Sequence, residues 1–278
     1  PAPAGHALKT FAQKHRLTMN TITQGAWALL LSRYSGEEDV VFGATTAGRP
    51  AQLDGIESMI GLFLNTLPVR IGIDENLDLL NWLQQVQDQQ LNIQQYEYAS
   101  LVDIQGWSDV PRGKALFETL LAFENYPDIE TMGQTSGSIE IKESSGFDRT
   151  NFPLTLNVAM MDTLYLRFIY DRNLFSKATL ERLGEHLQTL LTNIPEAANK
   201  TIAEVAMLNP AEITLLDQWN ETEQSYQADA TLVSLLAEQA AATPDAPALR
   251  YEQARLSYRE VEQRSNQLAH YLRLQGVS

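Results

Sequence analysis

The chain holds 278 residues, with 35 acidic against 20 basic side chains, a net charge of -15, 44% hydrophobic residues and no cysteine. That length allows one large or two ordinary domains with real cores, and the lack of cysteine excludes a disulfide framework, a thiolate metal site and a cysteine nucleophile. The acidic balance argues against broad contact with nucleic-acid phosphates, and no apolar run approaches the roughly 20 residues of a membrane span, so neither nucleic acid nor membrane is expected as a partner.

In chain order, two helices are predicted over residues 7–15 and 21–34. In the second, Ile22, Ala26, Leu29, Leu30 and Arg33 recur at helical spacing, Thr21 and Gln24 have capping-box spacing, and Gly36 is placed to end it. Residues 39–44 (DVVFGA) read as a short buried strand, and Gly48-Arg49-Pro50 as a turn. Residues 77–98 return to helical spacing through Leu80, Leu83, Val86 and Leu91, with a Gln-rich outer face, and form the longest predicted helix. Strands are predicted at 116–125, 138–142, 154–159 and 164–170, the last two as a hairpin turning at 161–163. A helix over 177–191 then presents Leu180, Leu183, Leu187 and Leu190 on one face. Strands interleaved with helices, hairpins among them, predict a mixed α/β class in which helices cover a layered sheet.

Beyond Asn193 the texture changes to Pro195, Pro210 and a polar stretch over 219–227, so 195–230 reads as an inter-domain linker with one short helix near 211–219. A new unit starts at Thr231, with a helix, a break at Thr243-Pro244-Asp245, a strand near 248–251 and a helix over 258–274 that Gly276 stops. It is too short to bury a core. The opening Pro1-Ala2-Pro3-Ala4 has neither Met nor the regions of a signal peptide, and the chain is expected to be a piece of something longer.

The chemistry-bearing residues are sparse. His6, His15, His186 and His270 stand in or beside helices with no second ligand at zinc spacing, and are expected to be surface or partly buried structural histidines, with no metal site. No G-x-S-x-G elbow, phosphate loop or G-x-G-x-x-G occurs, and the acidic run Glu37, Glu38, Asp39 reads as a solvated face beside a turn. The most informative stretch is residues 60–70, IGLFLNTLPVR. Gly61 allows close backbone approach, Phe63 offers an apolar anchor, and Asn65 and Thr66 put hydrogen-bonding groups inside an apolar run. On the residues alone, two readings stand: a strand whose Asn and Thr satisfy neighbouring backbone, or a functional wall.

Residues 39–71 closely resemble the condensation domains of non-ribosomal peptide synthetases, with Gly61, Phe63, Asn65, Thr66 and Arg70 all matching the motif I-G-x-F-x-N-T-x-x-x-R. Residues 18–36, 95–104, 115–127 and 152–175 are similar too, so that 1–194 is expected to be part of a condensation domain. Residues 231–278 resemble the start of an adenylation domain, with Leu256-Ser257-Tyr258-Arg259-Glu260-Val261 close to its first core motif and Val261 replacing the usual Leu. The segment Phe123-Glu124-Asn125-Tyr126-Pro127 favours condensation over epimerisation.

The resemblance implies a chloramphenicol acetyltransferase-like fold of two lobes. The family's H-H-x-x-x-D-G motif belongs to the N-terminal lobe and does not occur in this chain, so the chain is expected to hold the C-terminal lobe, with no catalytic residue of its own and no activity by itself. In the parent it implies amide formation between carrier-bound aminoacyl and peptidyl thioesters in an elongation module, located in the cytoplasm. By the same resemblance Asn65, Thr66 and Gly48 lie at the substrate tunnel and orient substrate, while Gly61, Phe63 and Arg70 are structural, Arg70 bracing an interface. At Ala47 many relatives carry Ser, and a hydroxyl contact there is lost. No cofactor is expected to bind this chain directly: phosphopantetheine belongs to partner carrier domains, and ATP and magnesium to the adenylation core. The expected partners are upstream and downstream carrier domains, the N-terminal lobe and the adenylation core of the same polypeptide. Two other classes stay open: a non-catalytic lobe that only docks carrier proteins, and a CoA-dependent acyltransferase on the same fold.

Overall fold

The second helix shows how local chemistry sets the frame. Thr18 is extended, at φ −84° and ψ 154°, and its hydroxyl accepts the Thr21 N–H at 3.0 Å, so Thr18 is the N-cap and Thr21 lies in the first turn. The helix therefore starts two residues before the expected position. Gly36 ends it as expected, at φ 75°, giving its N–H to the Ser32 carbonyl.

The computed structural model describes residues 2–47, 55–124, 150–160, 163–224 and 230–277. Its contacts divide the chain into two units, Pro1–Leu216 and Asp217–Ser278.

In the first unit, α1 (Ala2–His15) and α2 (Met19–Ser35) precede β1 (Asp39–Thr46) and β2 (Asn65–Gly72). Next come α3 (Leu79–Gln94), α4 (Leu101–Trp107), β3 (Thr119–Glu124), β4 (Leu154–Met160), β5 (Leu164–Tyr170) and α5 (Lys177–Asn193). The strands form one mixed sheet in the order β2-β1-β3-β4-β5, antiparallel at both outer pairs and parallel where β3 lies between β1 and β4. Alternate residues, Val40, Phe42 and Ala44 on β1, Leu67, Val69 and Ile71 on β2, Leu154, Leu156 and Val158 on β4, are all buried. All but Leu67 join one continuous core with α1, α2, α3 and α5, which is the period-two pattern of a sheet with its apolar face under helices.

α2 is buried from Thr21 through Leu30, Trp27 included, so it is the central helix and not the one-sided stripe its apolar spacing suggested. Its polar groups find partners on α3. Gln90 Nε2 donates to Gln24 Oε1 at 2.7 Å, Thr18 N donates to Gln87 Oε1 at 2.8 Å, and Gln87 Nε2 donates to the Arg16 carbonyl at 2.8 Å. Part of the expected outer Gln face thus turns inward, because buried hydroxyls and amides on α2 need hydrogen bonds that an apolar neighbour cannot supply. α3 ends at Gln94, four residues short of the expected end.

The hairpin of β4 and β5 and the Leu180, Leu183, Leu187, Leu190 face of α5 stand as expected, with all four leucines buried. The predicted strand at 138–142 lies outside the described residues, as do Asn125 and turn residues 161 and 162. The start of the expected linker differs. Ile194, Ala197, Ile202 and Val205 are buried, Leu79 N donates to Lys200 O, Ile202 N to Leu77 O, and Arg33 donates to the carbonyls of Val205 and Ile202 at 2.6 and 3.1 Å. The chain past Pro195 is therefore packed onto the first unit before it enters α6 (Pro210–Asn220). Polar composition and two prolines concealed this, since four well-spaced apolar residues suffice to anchor a segment with no regular structure of its own.

The second unit contains α7 (Leu232–Ala242), β6 (Pro247–Tyr251), β7 (Ala254–Ser257) and α8 (Tyr258–Leu274). β7 is an addition to the sequence reading: four residues after a tight turn with Glu252 at φ 51°. Ser257 and Glu260 form a capping box at the start of α8. Among the described residues of this unit only Ala240 is buried, in keeping with the expectation that it is too short to bury a core.

Candidate functional site

The motif segment begins after Gly55, which turns the chain at φ 76° into a short helical turn, Ile56–Ser58. Residues 59–64 then run without regular structure, leaving Ile60, Leu62 and Leu64 exposed at 104%, 90% and 68%. Phe63 folds back over Gly61: a Cβ on Gly61 would sit 3.2 Å from the ring, so glycine here lets the ring lie close to the backbone. β2 starts at Asn65, opposite Thr46 of β1, and Thr66 stands opposite Thr45.

Asn65 is fully engaged. Its Nδ2 donates at 2.8 Å both to the Glu97 carbonyl and to the Ala99 carbonyl, and its Oδ1 accepts the Thr66 N–H at 2.9 Å. Both amide hydrogens are thereby given to backbone, which is the first of the two readings left open by the residues. The consequence is architectural: Asn65 fastens the end of β2 to the turn that follows α3. Ser100 continues that turn as N-cap of α4, accepting the Asp103 N–H and donating to its carboxylate at 2.6 Å. Burial pushes the Glu97 carboxyl above its ordinary value. Nothing in the spacing of the sequence marked Glu97, because the contact joins positions 32 residues apart.

Arg70 is placed elsewhere. Five residues along an extended strand puts it about 17 Å from Asn65 and on the opposite face. There its Nε and Nη2 donate to the carboxylate of Asp39 on the neighbouring strand, with both side chains exposed. This hydrogen-bonded pair lowers the Asp39 carboxyl from its usual value and raises the Arg70 guanidinium. Arg70 is a cross-strand brace, and Asp39, expected as part of a solvated run, is its partner. Gly48 lies outside the described residues, though Thr46 places the start of its loop beside Asn65. The Thr46 hydroxyl is buried with no hydrogen-bond partner among the described residues.

The structure thus ties Asn65 and Thr66 to the 97–99 turn, lays Phe63 over Gly61 just ahead of them in the chain, and sets Arg70 apart. The assembly is a wall stiffened by hydrogen bonds. Its motif strand carries no histidine, and among the described residues no cluster of three His, Asp or Glu suits a metal ion. What it can do chemically is hold a strand start and a turn rigid, which matters where a bound geometry must be kept. Away from it, His186 is 5% exposed and bonded to Tyr34 and Glu212, which stay partly exposed, so this histidine is buried more fully than the surface or partly buried one expected from its polar neighbours.

Comparison with known proteins bears on both units. Residues 2–216 match the family model described as a condensation domain, and residues 236–278 match that of an AMP-binding enzyme. The chain is 45% identical over 272 residues to one of the linear gramicidin synthase proteins of Brevibacillus parabrevis, covering 98% of this chain and 5% of that protein. It is 34% identical over 269 residues to bacitracin synthase 3 of Bacillus licheniformis, covering 96% and 4%. The chain thus spans a small part of the curated relatives it matches. Among solved structures, a four-domain nonribosomal peptide synthetase bound to AMP and glycine aligns with a TM-score of 0.72 at 20% identity, over 100% of this chain and 22% of that one. The first condensation domain of the CDA synthetase aligns with a TM-score of 0.59 at 16% identity, over 75% and 46%. The fold of residues 2–216 is the chloramphenicol acetyltransferase-like fold of condensation domains.

Proposed function

This chain belongs to the condensation-domain family over residues 2–216, and from that membership we propose that it serves in an elongation module of a non-ribosomal peptide synthetase. The observation that carries the reading is order along the chain: a condensation match followed by an AMP-binding match, as in a module whose AMP-binding part activates the amino acid that the condensation part then joins to the upstream chain. In the reaction, the amine of a carrier-bound aminoacyl group attacks the carbonyl of an upstream peptidyl thioester. The C–N bond forms, the C–S bond breaks, the amine loses a proton and the carrier thiol gains one.

The residues of this chain have a supporting part. Asn65 acts as a positioning residue: by holding the Glu97 and Ala99 carbonyls it keeps the 97–99 turn against the motif strand, and Thr66, Gly61 and Phe63 complete that wall. The loop of Gly48 is assigned to the same rim. Proton transfer is assigned to the H-H-x-x-x-D-G motif of the family's N-terminal lobe, a run that residues 1–278 do not contain. Phosphopantetheine is assigned to flanking carrier domains, ATP and magnesium to the adenylation core, and the whole to the cytoplasm; no described residue is given the task of holding those groups. The domain proposal is a condensation lobe over 1–194, a connection over 195–230 whose first part packs on that lobe, and the adenylation start from 231.

The test is a reconstituted two-module assay with the intact parent. Asn65→Ala is expected to slow dipeptide formation at least tenfold while amino-acid-dependent ATP–pyrophosphate exchange stays unchanged. Unaltered dipeptide formation overturns the role of Asn65. A parent that loads both carriers but makes no dipeptide overturns the condensation reading in favour of a carrier-docking lobe.

A further inference from the structure

α6 leaves the first unit without an apolar anchor. None of its residues is buried, and Ile213, Leu215 and Leu216 are 46%, 42% and 40% exposed. Its start is held by polar contacts. His186 of α5 lies with Nδ1 2.9 Å from the Tyr34 hydroxyl of α2, and with Nε2 2.9 Å from both carboxylate oxygens of Glu212 on α6. Glu212 also accepts the Asn209 N–H at 3.0 Å, while Asn209 Oδ1 accepts the Glu212 N–H at 3.0 Å, a reciprocal cap at the start of the helix.

Burial opposes the charge on Glu212, yet the Asn209 N–H, the His186 ring and Arg182 outweigh it and hold the carboxyl below its ordinary value. An ionised carboxylate only accepts, so the Nε2 facing Glu212 carries a hydrogen, and Nδ1 is the nitrogen left to pair with the Tyr34 hydroxyl. The arrangement has the connectivity of a nucleophile relay but not its chemistry: burial keeps Tyr34 a phenol above its usual range. Two surface cavities, one beside Thr150 and Tyr170 and one along α3 beside Gln89 and Tyr96, are lined by other residues.

We propose that Tyr34, His186 and Glu212 form a polar tether that holds the exit helix α6 on the condensation unit, with His186 as the positioning residue for the chain that leaves it. The ion-assisted half of the tether lets pH act on it. The other charged groups beside it are Arg182, which acts on both Glu212 and Tyr34, and Glu185 of α5, 3.4 Å from Asn209 Nδ2; Arg33 of α2 is engaged away from it, with the Ile202 and Val205 carbonyls. Because the Glu212 carboxyl is lowered, its contribution is present above the ordinary carboxyl range and is lost as pH falls through the lowered value.

The test is amide hydrogen exchange on the intact polypeptide, corrected for intrinsic pH dependence. In His186→Phe, which leaves the Asn209–Glu212 cap in place, exchange at 213–220 is expected to quicken at least fivefold while β1 to β5 keep their protection. In the unsubstituted protein, protection of α6 relative to the strands is expected to fall on acidification, and in Glu212→Gln that dependence is expected to vanish. Unchanged α6 exchange in His186→Phe, or an increase spread equally over the strands, overturns the tether. If His186→Phe does not fold, the pH profile of Glu212→Gln decides: a profile identical to that of the unsubstituted protein overturns it.

Discussion

Asn65 holds the carbonyl of Ala99 at 2.8 Å across 34 residues of sequence, and the same Nδ2 holds that of Glu97. A strand start and a helix-to-helix turn are made into one rigid piece by a single side chain. Replacing it should have local effects larger than its size suggests. Asn65→Ala leaves two carbonyls without their donor and is expected to cost about 1–3 kcal/mol in unfolding free energy. Asn65→Asp sets a carboxylate against the same carbonyls and should cost more than Asn65→Ala at neutral pH. Denaturant unfolding of the three proteins checks the order, and a milder effect for Asn65→Asp would contradict the contact.

Gly43 is required by an aromatic ring. A Cβ there would lie 2.3 Å from Phe117 Cε2, and Phe117 is itself stacked on Phe152 at 5.4 Å between centroids. Gly43→Ala is therefore expected to destabilise the fold by about 1–3 kcal/mol through overpacking. Adding Phe117→Leu should recover part of the loss, seen as non-additivity in a double-mutant cycle; strict additivity would mean that the ring is not the obstacle.

Two fully buried tryptophans differ in their polar handle. Trp82 Nε1 donates to the Gly72 carbonyl at 2.9 Å, whereas Trp27 Nε1 has no hydrogen-bond partner among the described residues. Both lose similar volume on conversion to phenylalanine. Trp82→Phe is expected to be the more destabilising by about 1 kcal/mol, the difference made by one hydrogen bond, as measured by chemical denaturation of the two variants side by side.

The Asp39–Arg70 pair predicts a weak acid dependence. Asp39 is lowered by its hydrogen bonds to Arg70, so its contribution is complete above the ordinary aspartate range and disappears as pH falls through the lowered value. Both partners are exposed, so salt should screen the effect. Titration of the Asp39 carboxyl by NMR is expected to give a value below the usual one that returns toward it in Arg70→Ala and in molar salt; an unshifted titration in the unsubstituted protein would refute the pair.

Much of the architecture is legible in the residues themselves. Apolar spacing placed α5 and its four leucines, Gly36 marked the end of α2, and the 164–170 strand was found with its bounds. Other features were hidden because they depend on partners far along the chain. The Gln-rich face of α3 looked solvent-facing until α2 supplied buried Thr21 and Gln24 to bond with. Residues 195–205 looked like a connection because their three buried apolar side chains, Ala197, Ile202 and Val205, follow no period. His186 sat among polar neighbours in sequence, and its partners Tyr34 and Glu212 come from two other helices.

What the sequence by itself determined is the set of local and family-bearing facts: the α/β alternation, the helix stops, and the I-G-x-F-x-N-T-x-x-x-R run that points to condensation. These survive without tertiary information because periodicity and caps are local free energies and a motif is read from residue identities alone. Only the tertiary structure decided what Asn65, Arg70 and His186 do. A hydrogen-bonding side chain is neutral in meaning until its partner is known, and here the partners are Glu97 and Ala99, Asp39, and Tyr34 with Glu212. Chain folding, not spacing, brings each of them within 3 Å.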